Sequence, residues 1–235
     1  MAMDKFRFYA GLAIMAGLIF AGAMLPSAVR EFKAGERVVN VKGLCEREVK
    51  ADKVIWPIRF KVVGNDLKGI YDGIENGNRI IGAFLTEGGI DSSQFSVSLP
   101  SVSDRDAQEY GSNERNFRYI ATGTIVVCTA EVDKVLELMS DQGELIAKGI
   151  SVEQGWDSKP KFSFENLNGI KPEMIQAATC NAREAALKFA ADSQSNLGKI
   201  KNACQGSFSI EDRDEFTPQI KKVRVVTSVS YYLKK

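Results

Sequence analysis

The chain has 235 residues, 44% hydrophobic and 26% charged, enough apolar material for one large or two small cores. Its net charge of +1 gives no bulk reason to bind nucleic acid or a strongly acidic partner. It contains no histidine, which removes the commonest general base and the commonest metal ligand from its chemistry.

Phe8 to Leu25 is an uncharged apolar run behind Lys5 and Arg7, at the short end of what spans a bilayer core. Ala21-Gly22-Ala23 satisfies the small-x-small rule for signal cleavage, but the run continues through Met24 and Leu25 without a polar break. We read it as a retained signal-anchor helix, with a cleaved signal peptide as the alternative. Residues 1–36 are then anchor and juxtamembrane segment. Arg30, Lys33 and Arg37 on the far side compete with Lys5 and Arg7, so charge alone leaves the orientation open.

Val54, Trp56, Ile58, Phe60 and Val62 alternate with mostly polar neighbours, which predicts a half-buried strand. Pro57 lies inside it and cannot donate to a ladder, so the strand is expected at an edge or bulged there. Leu67, Ile70, Tyr71, Ile74, Ile81, Phe84 and Leu85 keep helical spacing, with Asp66 near the start and Gly88-Gly89 at the stop. Gly77 weakens the middle of that helix. Phe95, Val97 and Leu99 alternate as a strand, and Phe117, Tyr119, Ala121, Gly123, Ile125 and Val127 share one face of another. The polar stretch Ser101 to Asn116 between them reads as a long exposed hairpin connection. Val132, Val135, Leu136 and Met139 give a short second helix, followed by a strand pair, Lys148 to Glu153 with Lys161 to Glu165, around Gly155-Trp156.

In the last third, Pro172 and Glu173 suit a first helical turn. Ile175, Ala178, Ala182, Ala185, Ala186 and Phe189 then recur on one face, whose small side chains let the helix lie close on what it covers. Gly198 is placed shortly past its end, Ser207-Phe208-Ser209-Ile210 begins to alternate, and Val223, Val225, Thr227, Val229, Tyr231 and Leu233 form one face of a last strand. The halves 37–130 and 131–235 therefore echo each other as strand pair, helix, strand pair, and Asp104-Arg105-Asp106 and Asp212-Arg213-Asp214 repeat the same loop chemistry. The fold class is α+β: duplicated strand-pair, helix, strand-pair units, antiparallel sheets with helices packed on one face, and an N-terminal hydrophobic helix.

The alanine-rich helix followed by Ser195-Asn196-Leu197-Gly198-Lys199-Ile200, the alternating C-terminal strand, and the opening pair Val38-Val39-Asn40-Val41-Lys42-Gly43 and Glu46-Arg47-Glu48-Val49-Lys50-Ala51-Asp52 resemble the SIMPL domain (DUF541) family, an outer-membrane-antigen-like group of bacterial envelope proteins. The resemblance spans Arg37 to Leu233 and implies a SIMPL-like domain over 37–235. It further implies a short cytoplasmic N-terminus in the inner membrane, a body exported to the periplasm, and homo-oligomeric assembly. A role in envelope or oxidative-stress maintenance is suggested by the resemblance alone, and the family implies no reaction.

The residues themselves offer little chemistry. Cys45, Cys128, Cys180 and Cys204 show no C-x-x-C spacing, and a zinc centre without histidine would need all four thiolates from distant elements. In an oxidising compartment Cys180 and Cys204 are the candidate disulfide, closing a return from helix to strand, while Cys128 reads as a buried free thiol in an apolar strand. A paired-acid hydrolase or a calcium site can be drawn on Asp104, Asp106, Asp212, Asp214 and Glu215, but the interleaved Arg105 and Arg213 point to solvated ion pairs. No phosphate-binding glycine loop or G-x-S-x-G elbow is present. Lys221, Lys222, Arg224, Lys234 and Lys235 form a basic stripe, read first as an edge strand guarded by charge and second as a contact for anionic lipid. Trp56 and Trp156 read as core or interface residues. These patterns leave no catalytic residue, no metal ligand and no cofactor to assign. The expected protein is a non-enzymatic, self-associating envelope domain, or alternatively a periplasmic module for a small apolar or lipid ligand held between the halves.

Overall fold

In the computed structural model of the chain, residues 11, 15–23, 37–107 and 116–234 are described. Residues 15–23 of the leader are helical, and the rest of the Phe8 to Leu25 run, apart from residue 11, lies outside the described residues. Among the described residues no helix is long and apolar enough to cross a membrane. The body is mixed α+β, with two antiparallel sheets.

The chain forms two compact units: Met1–Glu46, Lys171–Ser209 and Arg224–Lys235 make the first, and Arg47–Ile170 and Ile210–Val223 the second. The opening strand therefore shares a unit with the alanine-rich helix and the last strand.

In the second unit β2 (Lys53–Gly64) lies between β5 (Tyr119–Thr129) and β6 (Lys161–Ser163), with β3 (Phe95–Val97) and β4 (Ser101–Asp104) both paired to β5. The expected alternation holds: Val54, Trp56, Ile58 and Phe60 of β2 and Ala121, Ile125 and Val127 of β5 are buried. Helix α1 (Leu67–Glu87) covers this face with Ile70, Ile74, Ile81, Phe84 and Leu85. Leu67 and Tyr71, expected on the same face, are exposed, and the Tyr71 hydroxyl donates to Glu75. Asp66 caps α1 by accepting the Gly69 N–H at 2.7 Å. At the other end Gly89, at φ 82°, closes the helix while the Ile90 N–H reaches back to the Leu85 carbonyl. Two short helices, α2 (Val132–Ser140) and α3 (Gly143–Ala147), add Val132, Val135, Leu138 and Leu145 to the core.

Three expectations change here. Ser101–Asp104 is a strand on β5, not part of a bare connection. Lys148 to Glu153 and Lys161 to Glu165 do not pair with each other: Val152 bridges Phe60 and β6 pairs with Lys53–Ile55, so both segments run along β2. Gly77, instead of merely weakening α1, makes room. Phe60 faces Gly123 across the ladder, and a Cβ at Gly123 or Gly77 would fall 2.4 or 2.3 Å from the Phe60 ring. The ring is seated between two backbones.

In the other sheet β9 (Ile220–Lys234) runs between β1 (Val38–Lys50) and β7 (Asn196–Gln205), and β8 (Ser209–Asp212) also pairs with β9. Helix α4 (Leu167–Asp192) begins five residues before Pro172, so the proline sits in the second turn and removes one helical hydrogen bond there. Its buried residues are Met174, Ala178, Ala182, Ala186 and Ala190, a strict four-residue ridge. Phe189, expected on that face, is exposed, and Ile175 and Ala185 are half-buried. The ridge is set by β1: a Cβ at Gly43 would lie 1.8 Å from the Ala178 carbonyl oxygen and 2.5 Å from the Ala182 nitrogen. Gly198 does not end α4. The end is a left-handed turn at Gln194, φ 52°, with the Ser195 N–H bonded to the Ala190 carbonyl and the Gln194 N–H to that of Ala191. Gly198 lies instead in β7, an unforeseen strand whose register shifts after Leu197 and again after Ile200.

Two stability effects are expected. Gly123→Ala and Gly77→Ala should each destabilise the second unit by about 1–3 kcal/mol through overpacking against Phe60, measured by urea denaturation. Gln194→Gly should stabilise by about 1 kcal/mol, because glycine takes the left-handed turn without a Cβ penalty.

Candidate interaction site

The charged triplets are taken up in ion pairs. The Arg118 guanidinium donates to Asp104 at 2.9 and 3.2 Å and lies 3.5 Å from Asp106. Asp214 accepts from the Arg213 guanidinium at 2.9 Å, from the Thr217 and Phe216 N–H groups at 2.7 and 2.9 Å, and from the Thr217 hydroxyl. Asp212 is paired with Lys221, and Glu215 is exposed on the same turn. Among the described residues no three of histidine, cysteine, aspartate or glutamate are grouped to hold a metal.

Cys180 on the outer side of α4 and Cys204 in β7 are both exposed. Cys128 is exposed as well, contrary to a buried placement, because its position in β5 points away from the α1 face. The basic stripe is not on an edge: β9 is central in its sheet, which needs no charge to guard it. Lys221 is buried against Asp212 and Arg224 lies 3.6 Å from Glu46, so pairing absorbs much of the stripe. Lys235 lies outside the described residues.

Two features of the surface are open. The first is the pair of outer strands in the β1-β9-β7 sheet, thirteen and ten residues long, with β7 exposed over most of its length. Exposed apolar side chains on the same unit include Leu44, Leu187, Phe189 and Ile200.

The second is a slot of about 490 Å³ beside β2, lined by Trp56, Pro57, Ile58, Met139 and Gln142, and by the loop from Val152 to Pro160. Its origin is the expected defect at Pro57. Val54 and Phe60 are six positions apart on β2, but their partners Phe162 and Val152 are ten positions apart. The four surplus residues leave the sheet, so β2 is locally an edge where it lacks an N–H. Ion pairs fix the loop: Arg59 reaches Asp157 at 3.0 Å and Glu153 at 3.5 Å, and Lys61 reaches Glu153 at 2.7 Å. Trp156 stands on the rim, 82% exposed, with the Lys159 ammonium 4.7 Å from its ring centroid. Of the two tryptophans expected in a core or an interface, Trp56 is in the core and Trp156 is on the surface. A strand pair around Gly155, as the pattern suggests, leaves no room for this loop; the distance between Pro57 and Pro160 in the sequence gives no sign that they meet.

The family model SIMPL, described as a protein of unknown function (DUF541), matches residues 39–231, from β1 to near the end of β9. The chain belongs to the SIMPL family. No curated protein matches it in sequence. The match covers both units, so the slot and the open strand edges are parts of the SIMPL domain itself.

The acidic turns of this SIMPL domain set its response to acid. Hydrogen bonds from Thr217, then from Arg213, lower the Asp214 carboxyl from 3.8 to about 2. Asp104 is lowered by Arg118, and Asp91 by the Ser93 hydroxyl. A depressed carboxylate contributes stability above its unfolded value that is lost as pH falls through the folded one. Melting temperature should therefore drop from just below pH 4 down to about pH 2, and Asp214→Asn should flatten part of that limb, as followed by circular dichroism.

Proposed function

We propose that this SIMPL domain is a non-enzymatic interaction module that self-associates through the edges of its β1-β9-β7 sheet. Edge strands carry unpaired backbone donors and acceptors, and a second copy can satisfy them by strand addition. The observation that carries the reading is the length and exposure of those edges, with Leu44 and Ile200 exposed on the outer strands themselves. Lys199, Lys201 and the register shifts blunt the first half of β7, which favours β1 and the regular run Asn202 to Gln205 as the pairing edges.

The same proposal places the body in the periplasm, tethered to the bacterial inner membrane by a retained Phe8 to Leu25 helix. Its supports are the uncharged leader and the envelope resemblance of the family. A role in envelope or oxidative-stress maintenance rests on that resemblance alone.

Light scattering with size-exclusion chromatography on residues 37–235, over a wide concentration range, tests the self-association. A discrete assembly is expected, and Leu44→Lys with Ile200→Lys should weaken it at least about tenfold. A strict monomer at every concentration would overturn the reading.

A further inference from the structure

We propose that the slot beside Pro57 is a binding site for a small, uncharged, mainly apolar molecule that carries one N–H or O–H donor. The site is independent of the self-association above and lies wholly within the second unit.

A volume of about 490 Å³ falls in the range of small-molecule pockets. Trp56, Pro57, Ile58, Met139, Val152 and Pro160 supply apolar walls. The chain has two tryptophans, and both line this one slot.

Polarity is stranded at one side chain of the slot: the Ser158 hydroxyl is buried and has no hydrogen-bond partner among the described residues, whereas Glu153 Oε2, also without a hydrogen bond, lies 3.5 Å from the equally unbonded Arg59 Nε. Alternate residues of a strand turn their backbone groups to the same side. The Arg59 carbonyl accepts from Glu153 and the Lys61 N–H donates to Ser151, both away from β5, so the Pro57 carbonyl two residues earlier also faces the gap. The Pro57 carbonyl and the Ser158 hydroxyl thus border one apolar space, and a single ligand donor complements both, since the carbonyl only accepts and the hydroxyl can accept.

The charges around the slot are engaged with one another: Glu153 with Arg59 and Lys61, Arg59 also with Asp157, and Lys159 on Trp156. A cation would find no free counter-charge, and an anion would find the nearby cations already occupied. An uncharged ligand is what remains.

N-phenyl-1-naphthylamine, an uncharged bicyclic aromatic with one N–H, is the probe. The full chain in mild detergent, labelled with 15N at tryptophan, gives two indole N–H resonances, both from the slot. Both should shift with one saturable dissociation constant. Ser158→Ala should raise that constant about fivefold by removing a hydrogen bond, and Val152→Phe should abolish saturation by filling the space. An unchanged cooperative melt confirms that each variant is folded; if Val152→Phe is not, Ser158→Ala decides alone. Shifts that rise linearly with probe mean partition into detergent only and overturn the site. So would the absence of any shift, or an unchanged constant in Ser158→Ala.

Discussion

The distance between helix and sheet is set in each unit by glycines at the contact. In the first unit Gly43 of β1 lies against the Ala178 and Ala182 backbone of α4, so no larger residue is tolerated and the helix must present alanines there. In the second unit Gly77 and Gly123 leave a seat that Phe60 fills. The two solutions lead to different cores. An alanine ridge buries little apolar area per residue, so the first unit depends on close dispersion contact and on its ladder. The second buries Trp56, Phe60 and Phe84 and can tolerate a defect in its sheet.

What is legible in the sequence follows from this difference. β2 and β5 each bury one face under a large-residue core, so their period-two pattern is written in the residues. The helix α1 is legible for the same reason, and its Asp66 cap and Gly89 stop are local signals. The alanine helix is legible as a helix, but its pattern points to a face that includes Phe189, because alanine marks proximity weakly and phenylalanine marks hydrophobicity strongly. β7 is hidden for a physical reason: it is exposed on nearly all positions, so nothing in it alternates. The place of β9 at the centre of its sheet depends on strands from both ends of the chain, which no local pattern encodes.

The charged residues tell a parallel story. The sequence suggests that Arg105 and Arg213 neutralise the aspartates from within each triplet. In the first triplet the acids are also held from further away, since Arg118, fourteen residues from Asp104, reaches both of them. In the second, Arg213 does bind Asp214 and also reaches Glu48, while Asp212 takes Lys221 from β9. Composition therefore predicts the kind of pairing but not the partners.

Edge strands in this domain are handled in three ways, and the differences bear on where binding can occur. β7 carries lysines and register shifts, which discourage pairing along its first half. β2 is interrupted by Pro57, and the chain answers the missing N–H by lifting four residues out of the sheet, which converts an edge into a concavity. β1 contains no proline, and its three acidic or C-terminal charges Glu46, Glu48 and Lys50 are engaged with Arg224, Arg213 and Asp133. Charges bound to neighbours repel an incoming strand less than free ones. A long edge with most of its charges paired internally keeps its backbone groups accessible, whereas an edge broken by proline gives up one donor and gains a concavity.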